Sequence, residues 1–227
     1  MRNHPAALPF LFLTEMWERF GYYLMIGIFT LYLKDVKAGY AMTEAESADL
    51  YGTFIALVFL TPFIGGLLAD RYLGYRKSII IGGLMMGIGY CLMSVHNIAM
   101  LYLSMTLVII GNGFFKPNIS TLLGNVYTTP QYIKQKDDGY NIFYMGINIG
   151  AFICNFFGAA LYIVYGWGAA FIAAGVGMFI GVSIFLIGTK HYIAFDVKKG
   201  VTEKDMSMTR IVLTIFVPSV IAGILGW

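Results

Sequence analysis

The chain has 227 residues, of which 59% are hydrophobic and only 12% are charged, and its formal net charge is +3. Soluble domains carry about twice that charged fraction, so the composition excludes most of them and predicts a polytopic membrane protein. The small net charge, without a basic patch interleaved with aromatic residues, argues against nucleic-acid binding. The two cysteines and three histidines show no disulfide pattern and no metal-ligand spacing.

Six long apolar segments follow one another along the chain, separated by short polar breaks. Each is long enough to cross roughly 30 Å of hydrocarbon as a helix, and each is too long for a barrel strand. We therefore expect an all-α integral membrane protein with spans near residues 10–33, 49–69, 78–96, 98–126, 140–165 and 167–189.

The apolar segments divide the chain into three sections. Residues 1–190 are predicted to form a six-helix bundle, residues 191–208 a cytoplasmic linker, and residues 209–227 the beginning of a further helix. The last section stops without a polar cap, so we expect the chain to be the front part of a longer protein.

Lysine and arginine concentrate in alternate breaks. The breaks at 70–78, 127–139 and 189–205 are basic, whereas the others are poor in these residues. The positive-inside rule then places the amino terminus and the basic loops in the cytoplasm. The first segment is too long and too charged for a cleavable signal, so we expect it to remain as the first span.

The first span carries charges where lipid would not accept them. Glu15, Glu18, Arg19, Tyr22 and Tyr23 are spaced i, i+3, i+4, i+7 and i+8, which places them on one face of a helix. An ionisable residue in mid-membrane costs at least about 2.5–3.5 kcal/mol, so this stripe is predicted to line a protein-walled cavity.

The fourth span contains one more cation, Lys116, followed by Pro117. The proline is expected to weaken the helix, which is tolerated at depth where a helix lines a cavity. Two carboxylates and two cations make the cluster neutral, so we expect Glu15 and Glu18 to pair with Arg19 and Lys116 across a central site. The first and fourth spans would also correspond in an inverted three-helix repeat.

Small residues at four-residue spacing mark two close helix contacts, Gly146 with Gly150 and Gly177 with Gly181. Asn148 lies between the first pair, and its amide can both donate and accept hydrogen bonds. The residue pattern alone leaves open whether Asn148 contacts a substrate or only packs.

Four motifs resemble signatures of one family in the right order. The E-x-x-E-R-F-x-Y-Y run at 15–23, "GNGFFKPNIS" at 111–120 and "FYMGINIGA" at 143–151 resemble the helix signatures of the proton-dependent oligopeptide transporters. "GGLLADRYLGYRK" at 65–77 resembles the loop motif of the major facilitator superfamily. The resemblance covers an N-terminal six-helix half, and the stretch after Asp205 resembles the start of a linker helix.

The resemblance implies roles for particular residues. Protons are the coupling ion, no other cofactor is implied, and the protein is not an enzyme. The partners implied are di- and tripeptides, the lipid bilayer, which would be the bacterial inner membrane, and a C-terminal six-helix bundle. The resemblance assigns proton coupling to Glu15, Glu18 and Lys116. It assigns substrate binding to Arg19, Tyr22, Tyr23, Lys116 and Asn148. It assigns support of the outward-facing state to Asp70, Arg71, Gly74 and Arg76.

One departure keeps the substrate class open. Many family members carry a second arginine one turn beyond the tyrosine pair, where this chain has Ile26. The family uses that arginine to hold the substrate carboxylate. A proton-coupled transporter of nitrate or another small anion is therefore an alternative, and a non-transporting receptor or scaffold is a second one.

Overall fold

The computed structural model describes residues 4–198, 206–211, 213, 214 and 217. Within them the chain folds into a bundle of long helices with no β-strand. The six predicted spans coincide with the six long helices to within a few residues at each end. These helices are α1 (Ala7–Lys34), α2 (Glu44–Leu68), α3 (Tyr75–Met93), α4 (Ile98–Val126), α5 (Lys136–Tyr165) and α6 (Trp167–Gly188).

The linker and the seventh apolar stretch are described only in part. Two short 3-10 turns, Thr189–His191 and Ile193–Phe195, follow α6, and a four-residue helix α7 covers Met208–Ile211. Most of the predicted further helix at 209–227 lies outside the described residues, so the three-section division stays a prediction.

Five of the helices are long and apolar enough to cross a membrane, and α1 is not among them. Its 28 residues exceed the length required, but its charges lower its mean hydropathy. Instead of facing lipid, α1 lies inside the bundle, and Glu15, Glu18 and Arg19 are all buried. The position of α1 explains how a charged segment is accommodated among apolar helices.

Glycines let α1 approach its two main neighbours, α5 and α6. A Cβ at Gly146 would lie 3.0 Å from the Phe12 carbonyl oxygen, and Gly150 lies against the backbone of Met16 and Phe20. On α6, Gly177 packs against Phe20 and Trp17, and Gly181 packs against Thr14 and Trp17. The predicted close contacts at these two glycine pairs are confirmed.

The proline in α4 does not break the helix. The helix runs without interruption through Pro117, which corrects the expectation of a weakened segment. The Asn118 side chain donates to the Phe114 carbonyl oxygen at 2.7 Å, and Gly113 packs against Gly65 of α2. The carbonyl that Pro117 leaves without a helical N–H donor is that of Gly113, which lies against α2 at Gly65.

Asp35 closes the carboxyl end of α1 by bonding to another helix. One of its carboxylate oxygens accepts from the Trp167 indole N–H at 2.7 Å, and the other accepts from the Lys37 backbone N–H at 2.8 Å. These donors lower the pKa of Asp35, the Trp167 bond most of all. The charged carboxylate therefore ties α1 to the start of α6.

The Asp35 contact predicts a pH-dependent stability. Because its pKa is lowered on folding, Asp35 stabilises the fold above its ordinary pKa of 3.8 and loses that effect as the pH falls below it. Asp35→Asn is expected to lower the thermal midpoint in detergent at pH 7, with the difference shrinking toward pH 3. Asp49→Asn, at an exposed aspartate of α2, is the control. A wild-type advantage that does not change with pH would contradict this assignment.

Candidate functional site

The centre of the candidate site is a carboxylate pair around one guanidinium. Arg19 donates from Nε and Nη2 to the two oxygens of Glu18, which is a bidentate pair. Arg19 Nε also lies 3.5 Å from Glu15 Oε1, as the i, i+4 spacing predicted. The exposed fractions of Glu15, Glu18 and Arg19 are 3%, 0% and 4%, so these charges depend on one another rather than on water.

The two carboxylates of the site differ in how completely they are bonded. Both oxygens of Glu18 accept from Arg19. Oε2 of Glu15 is buried and has no hydrogen-bond partner among the residues that the structure describes. A buried carboxylate oxygen without a donor is an unfavourable state that a proton can relieve. Glu15 is therefore the less satisfied of the two carboxylates in this conformation.

The tyrosine pair lies against the guanidinium. The Arg19 Cζ atom is 4.9 Å from the Tyr22 ring centroid and 5.9 Å from the Tyr23 centroid. The two rings meet edge to face, with centroids 5.6 Å apart. These contacts place both aromatic rings beside the guanidinium and leave Tyr23 partly exposed.

Lys116 does not join the ion pair. It is half-buried on α4, and within residues 4–198 it forms no salt bridge with either glutamate. Its Nζ lies over the Phe59 ring of α2, 5.3 Å from the centroid, and it still interacts electrostatically with Glu15, Glu18 and Arg19. The expectation that a carboxylate pairs directly with Lys116 is wrong, because both carboxylates form salt bridges with Arg19 instead.

One polar group at this site was missed from the sequence. Tyr90 of α3 is fully buried, and within the described part of the chain its hydroxyl has no hydrogen-bond partner. Its ring edge packs at Gly21 of α1, and it interacts electrostatically with Glu18 and Arg19. Beyond Ser78 the helix α3 is almost entirely apolar, so Tyr90 gives no periodic signal there and only the packing reveals it.

Asn148 is not brought into the charge cluster. Gly146 and Gly150 point at α1, whereas Asn148 lies two residues from each and is exposed. A separate cavity of about 260 Å³ opens between α1 and α5, with Tyr23, Gly27 and Asn155 among its lining residues. The exposed side of α5 leaves Asn148 free to meet a ligand or another part of the protein.

The predicted loop motif is a single turn of π-helix, Ala69–Leu73, ended by Gly74. Gly74 has a φ of 83°, and a Cβ there would also lie 3.1 Å from Oδ1 of Asp196. The motif contacts the segment after α6: the Arg76 backbone N–H donates to Asp196 Oδ1 at 3.1 Å, and Arg71 donates to the Met206 carbonyl oxygen at 2.7 Å. Asp70 lies within this turn, beside Tyr75.

Five apolar helices around a buried charge cluster define an α-helical integral membrane protein. The profile of the POT family (PTR2) matches residues 76–224, which is more than half of the chain. The chain belongs to the POT family. The recognised family and the predicted fold class, a helical bundle of the major facilitator type, are confirmed.

Curated relatives support the same assignment. The chain is 35% identical over 191 residues to an uncharacterized transporter, YclF, of Bacillus subtilis, covering 83% of this chain and 38% of the relative. It is 40% identical over 186 residues to dipeptide and tripeptide permease A of Citrobacter koseri, covering 81% of this chain and 36% of the relative. The chain thus spans less than half the length of these relatives.

A solved structure shares the fold. A crystal structure of the peptide transporter POT in complex with sulfate superposes with a TM-score of 0.82 at 32% identity. The match covers 98% of this chain and 46% of the solved chain. The bundle described here therefore corresponds to about half of a complete transporter of this family.

Proposed function

We propose that the chain is the N-terminal half of a proton-coupled symporter that imports di- and tripeptides by alternating access. The observation that carries the proposal is the buried cluster of Glu15, Glu18 and Arg19 in a member of a family whose relatives are named dipeptide and tripeptide permeases. A C-terminal six-helix bundle would complete the site. We place the protein in the bacterial inner membrane, with its amino terminus in the cytoplasm.

The coupling mechanism follows from charge balance. In the described conformation Arg19 is held by Glu18 on two atoms and by Glu15 on one. A proton bound by either glutamate removes one negative charge and loosens Arg19. The freed guanidinium can then hold an incoming carboxylate, and the proton and the carboxylate enter together without changing the net charge of the cluster.

Lys116 supplies the second cation for the substrate. Because it is half-buried and forms no ion pair with Glu15 or Glu18, it can approach a carboxylate without first breaking a salt bridge. Arg19 and Lys116 would share the role that the family gives to its additional arginine, where this chain has Ile26. Asn148, on the exposed side of α5, would bind the peptide backbone.

A small anion is the second candidate substrate. The observation that favours it is Ile26, which packs against the hydrophobic core and leaves one cation fewer beside the tyrosine pair. Arg19 and Lys116 could hold nitrate or a comparable anion without any group for a peptide amino terminus. The two candidates share the proton-coupling cluster and differ in what competes for the site.

The test is uptake of a labelled dipeptide by the complete protein in proteoliposomes. We expect accumulation with an inward proton gradient, none without it, and inhibition by unlabelled di- and tripeptides. Inhibition by nitrate, but not by dipeptides, would replace the peptide with the anion. Uptake that ignores the proton gradient would overturn the coupling itself.

A further inference from the structure

The proposed coupling mechanism does not use the cavity of about 260 Å³ between α1 and α5. Its wall is mainly apolar, with Leu24, Ile28 and Leu31 from α1 and Cys154 from α5, and Asn155 adds one amide. Leu31 and Asn155 are both exposed, so the cavity is open to its surroundings. An apolar group that displaces water from such a wall gains free energy.

Two glycines leave this space open. Within the described residues, a Cβ at Gly27 would meet no neighbouring atom within 4 Å, and a Cβ at Gly158 would come no closer than 3.8 Å to Ile28. About two turns earlier on α5, Gly150 lies directly against the backbone of Met16. The two helices are therefore in close contact at Gly150 and stand apart at Gly158.

Tyr23 joins the cavity to the charge cluster. Its side chain lines the cavity, and its ring centroid lies 5.9 Å from Arg19 Cζ. Gly27 follows Tyr23 by four residues, which is about 6 Å along the axis of α1 and on the same side of the helix. A substrate whose carboxylate is held by Arg19 can therefore extend past the Tyr23 ring into the cavity.

The face of α5 that carries Asn148 also leads to the cavity. Asn148, Asn155 and Tyr162 are spaced i, i+7 and i+14, which keeps them on one face of the helix, and all three are exposed. Asn155 and Tyr162 line the cavity. A peptide whose backbone is bound at Asn148 thus lies along the face on which the cavity opens.

A fixed aromatic pair lines the cavity at its end farthest along α5. The rings of Tyr162 and Trp167 are stacked with centroids 3.7 Å apart, and the Trp167 indole N–H donates to Asp35 at 2.7 Å. The volume of the cavity is below the roughly 300–1,000 Å³ of pockets that enclose a whole drug-sized ligand. It therefore suits one side chain of a substrate, and it is too narrow for a helix about 10 Å in diameter.

We propose that the cavity between α1 and α5 is a specificity pocket, which receives an aliphatic or aromatic side chain of a peptide whose carboxylate is held by Arg19. This inference rests on the proposed peptide transport and names the substrates that the site prefers. Nitrate has no apolar part that would use the pocket.

The test is competition for proton-driven uptake of labelled alanyl-alanine by the complete protein in proteoliposomes. The competitors are alanyl-alanine, alanyl-leucine and alanyl-phenylalanine. In the wild type we expect the two larger peptides to compete about 10-fold more strongly than alanyl-alanine. Gly27→Leu fills the pocket and should reduce this preference to about two-fold or less. Its thermal midpoint in detergent and its uptake of alanyl-alanine report whether the variant folds.

Ala159→Leu and Ala160→Leu form a matched pair on α5. Ala159 lines the cavity, whereas Ala160 is also exposed but is turned about 100° further around the helix axis. We expect Ala159→Leu to lose the preference as Gly27→Leu does, and Ala160→Leu to keep it.

Three results would overturn the pocket while leaving peptide transport in place. They are a wild type without the preference, a preference that survives in both Gly27→Leu and Ala159→Leu, and an equal loss for all three peptides in both variants. Absence of alanyl-alanine uptake by the wild type would overturn the proposed function together with the pocket, so the two failures are distinguishable.

Discussion

Glu18→Gln is expected to abolish proton-driven accumulation of peptide while substrate counterflow continues. The amide has nearly the shape of the carboxylate, but it does not bind and release a proton near neutral pH. The substitution also replaces the bidentate ion pair with Arg19 by a weaker hydrogen bond between the guanidinium and a neutral amide. Arg19 keeps Glu15 as a partner at 3.5 Å, so the helix should still fold. The measurement compares uptake driven by a pH gradient with substrate counterflow, both in proteoliposomes. We expect gradient-driven uptake to fall by at least about 100-fold and counterflow to be retained.

The control for this prediction is Glu44→Gln. Glu44 pairs with Lys34 at 3.0 Å, but its side chain is 84% exposed. An exposed pair of this kind contributes roughly 0–1 kcal/mol, so the variant should transport as the wild type does. Retained gradient-driven accumulation in Glu18→Gln would remove Glu18 from the coupling mechanism and leave Glu15 to carry the proton.

Local patterns predicted much of this structure. The six spans could be recognised because apolar runs of about 20 residues have few alternatives in a membrane protein. The contact of Arg19 with Glu15 follows from their spacing of four residues along one helix. The glycine pairs of α5 and α6 were predicted from small residues at the same interval. Each of these features depends on residues that are close together in the chain.

Contacts between distant residues were predicted less well. The charge count suggested that Lys116 balances a carboxylate directly, but pairing requires a geometry that composition does not contain. Arg19 lies on the same helix as both glutamates and satisfies them first. Tyr90 packs against α1 at Gly21, where a Cβ would lie 3.3 Å from a carbon of its ring. The rotation of α3 about its axis cannot be read from its sequence.

Pro117 shows the same limit in the backbone. A proline removes one helical hydrogen bond, so a break near Lys116 was a reasonable expectation. The carbonyl that loses its helical donor is that of Gly113, and the close approach of α2 to it at Gly65 cannot be read from the sequence. Because α4 is continuous, the backbone at Lys116 is held in place and only the side chain can move.

That rigid attachment sharpens the expectation for Lys116→Ala, which should abolish proton-driven uptake and weaken binding of substrates that carry a carboxylate. Lys116 forms no salt bridge with Glu15 or Glu18 in this conformation, so its removal breaks no existing pair and should not destabilise the bundle. It does remove the only cation outside α1 that interacts electrostatically with Glu15, as far as the described residues show. The substitution should therefore reduce transport without reducing the stability of the bundle.

The separate roles of charge and contact at Lys116 can be measured with two further variants. Lys116→Arg keeps the cation but changes its shape, and should retain part of the uptake. Phe59→Leu removes the ring beneath Nζ, and should change uptake only a few-fold because such a contact contributes about 0.5–1 kcal/mol. Uptake, counterflow and thermal stability should be measured together. Normal proton-driven uptake by Lys116→Ala would mean that Arg19 alone holds the substrate carboxylate, and that the second charge on α4 has no part in coupling.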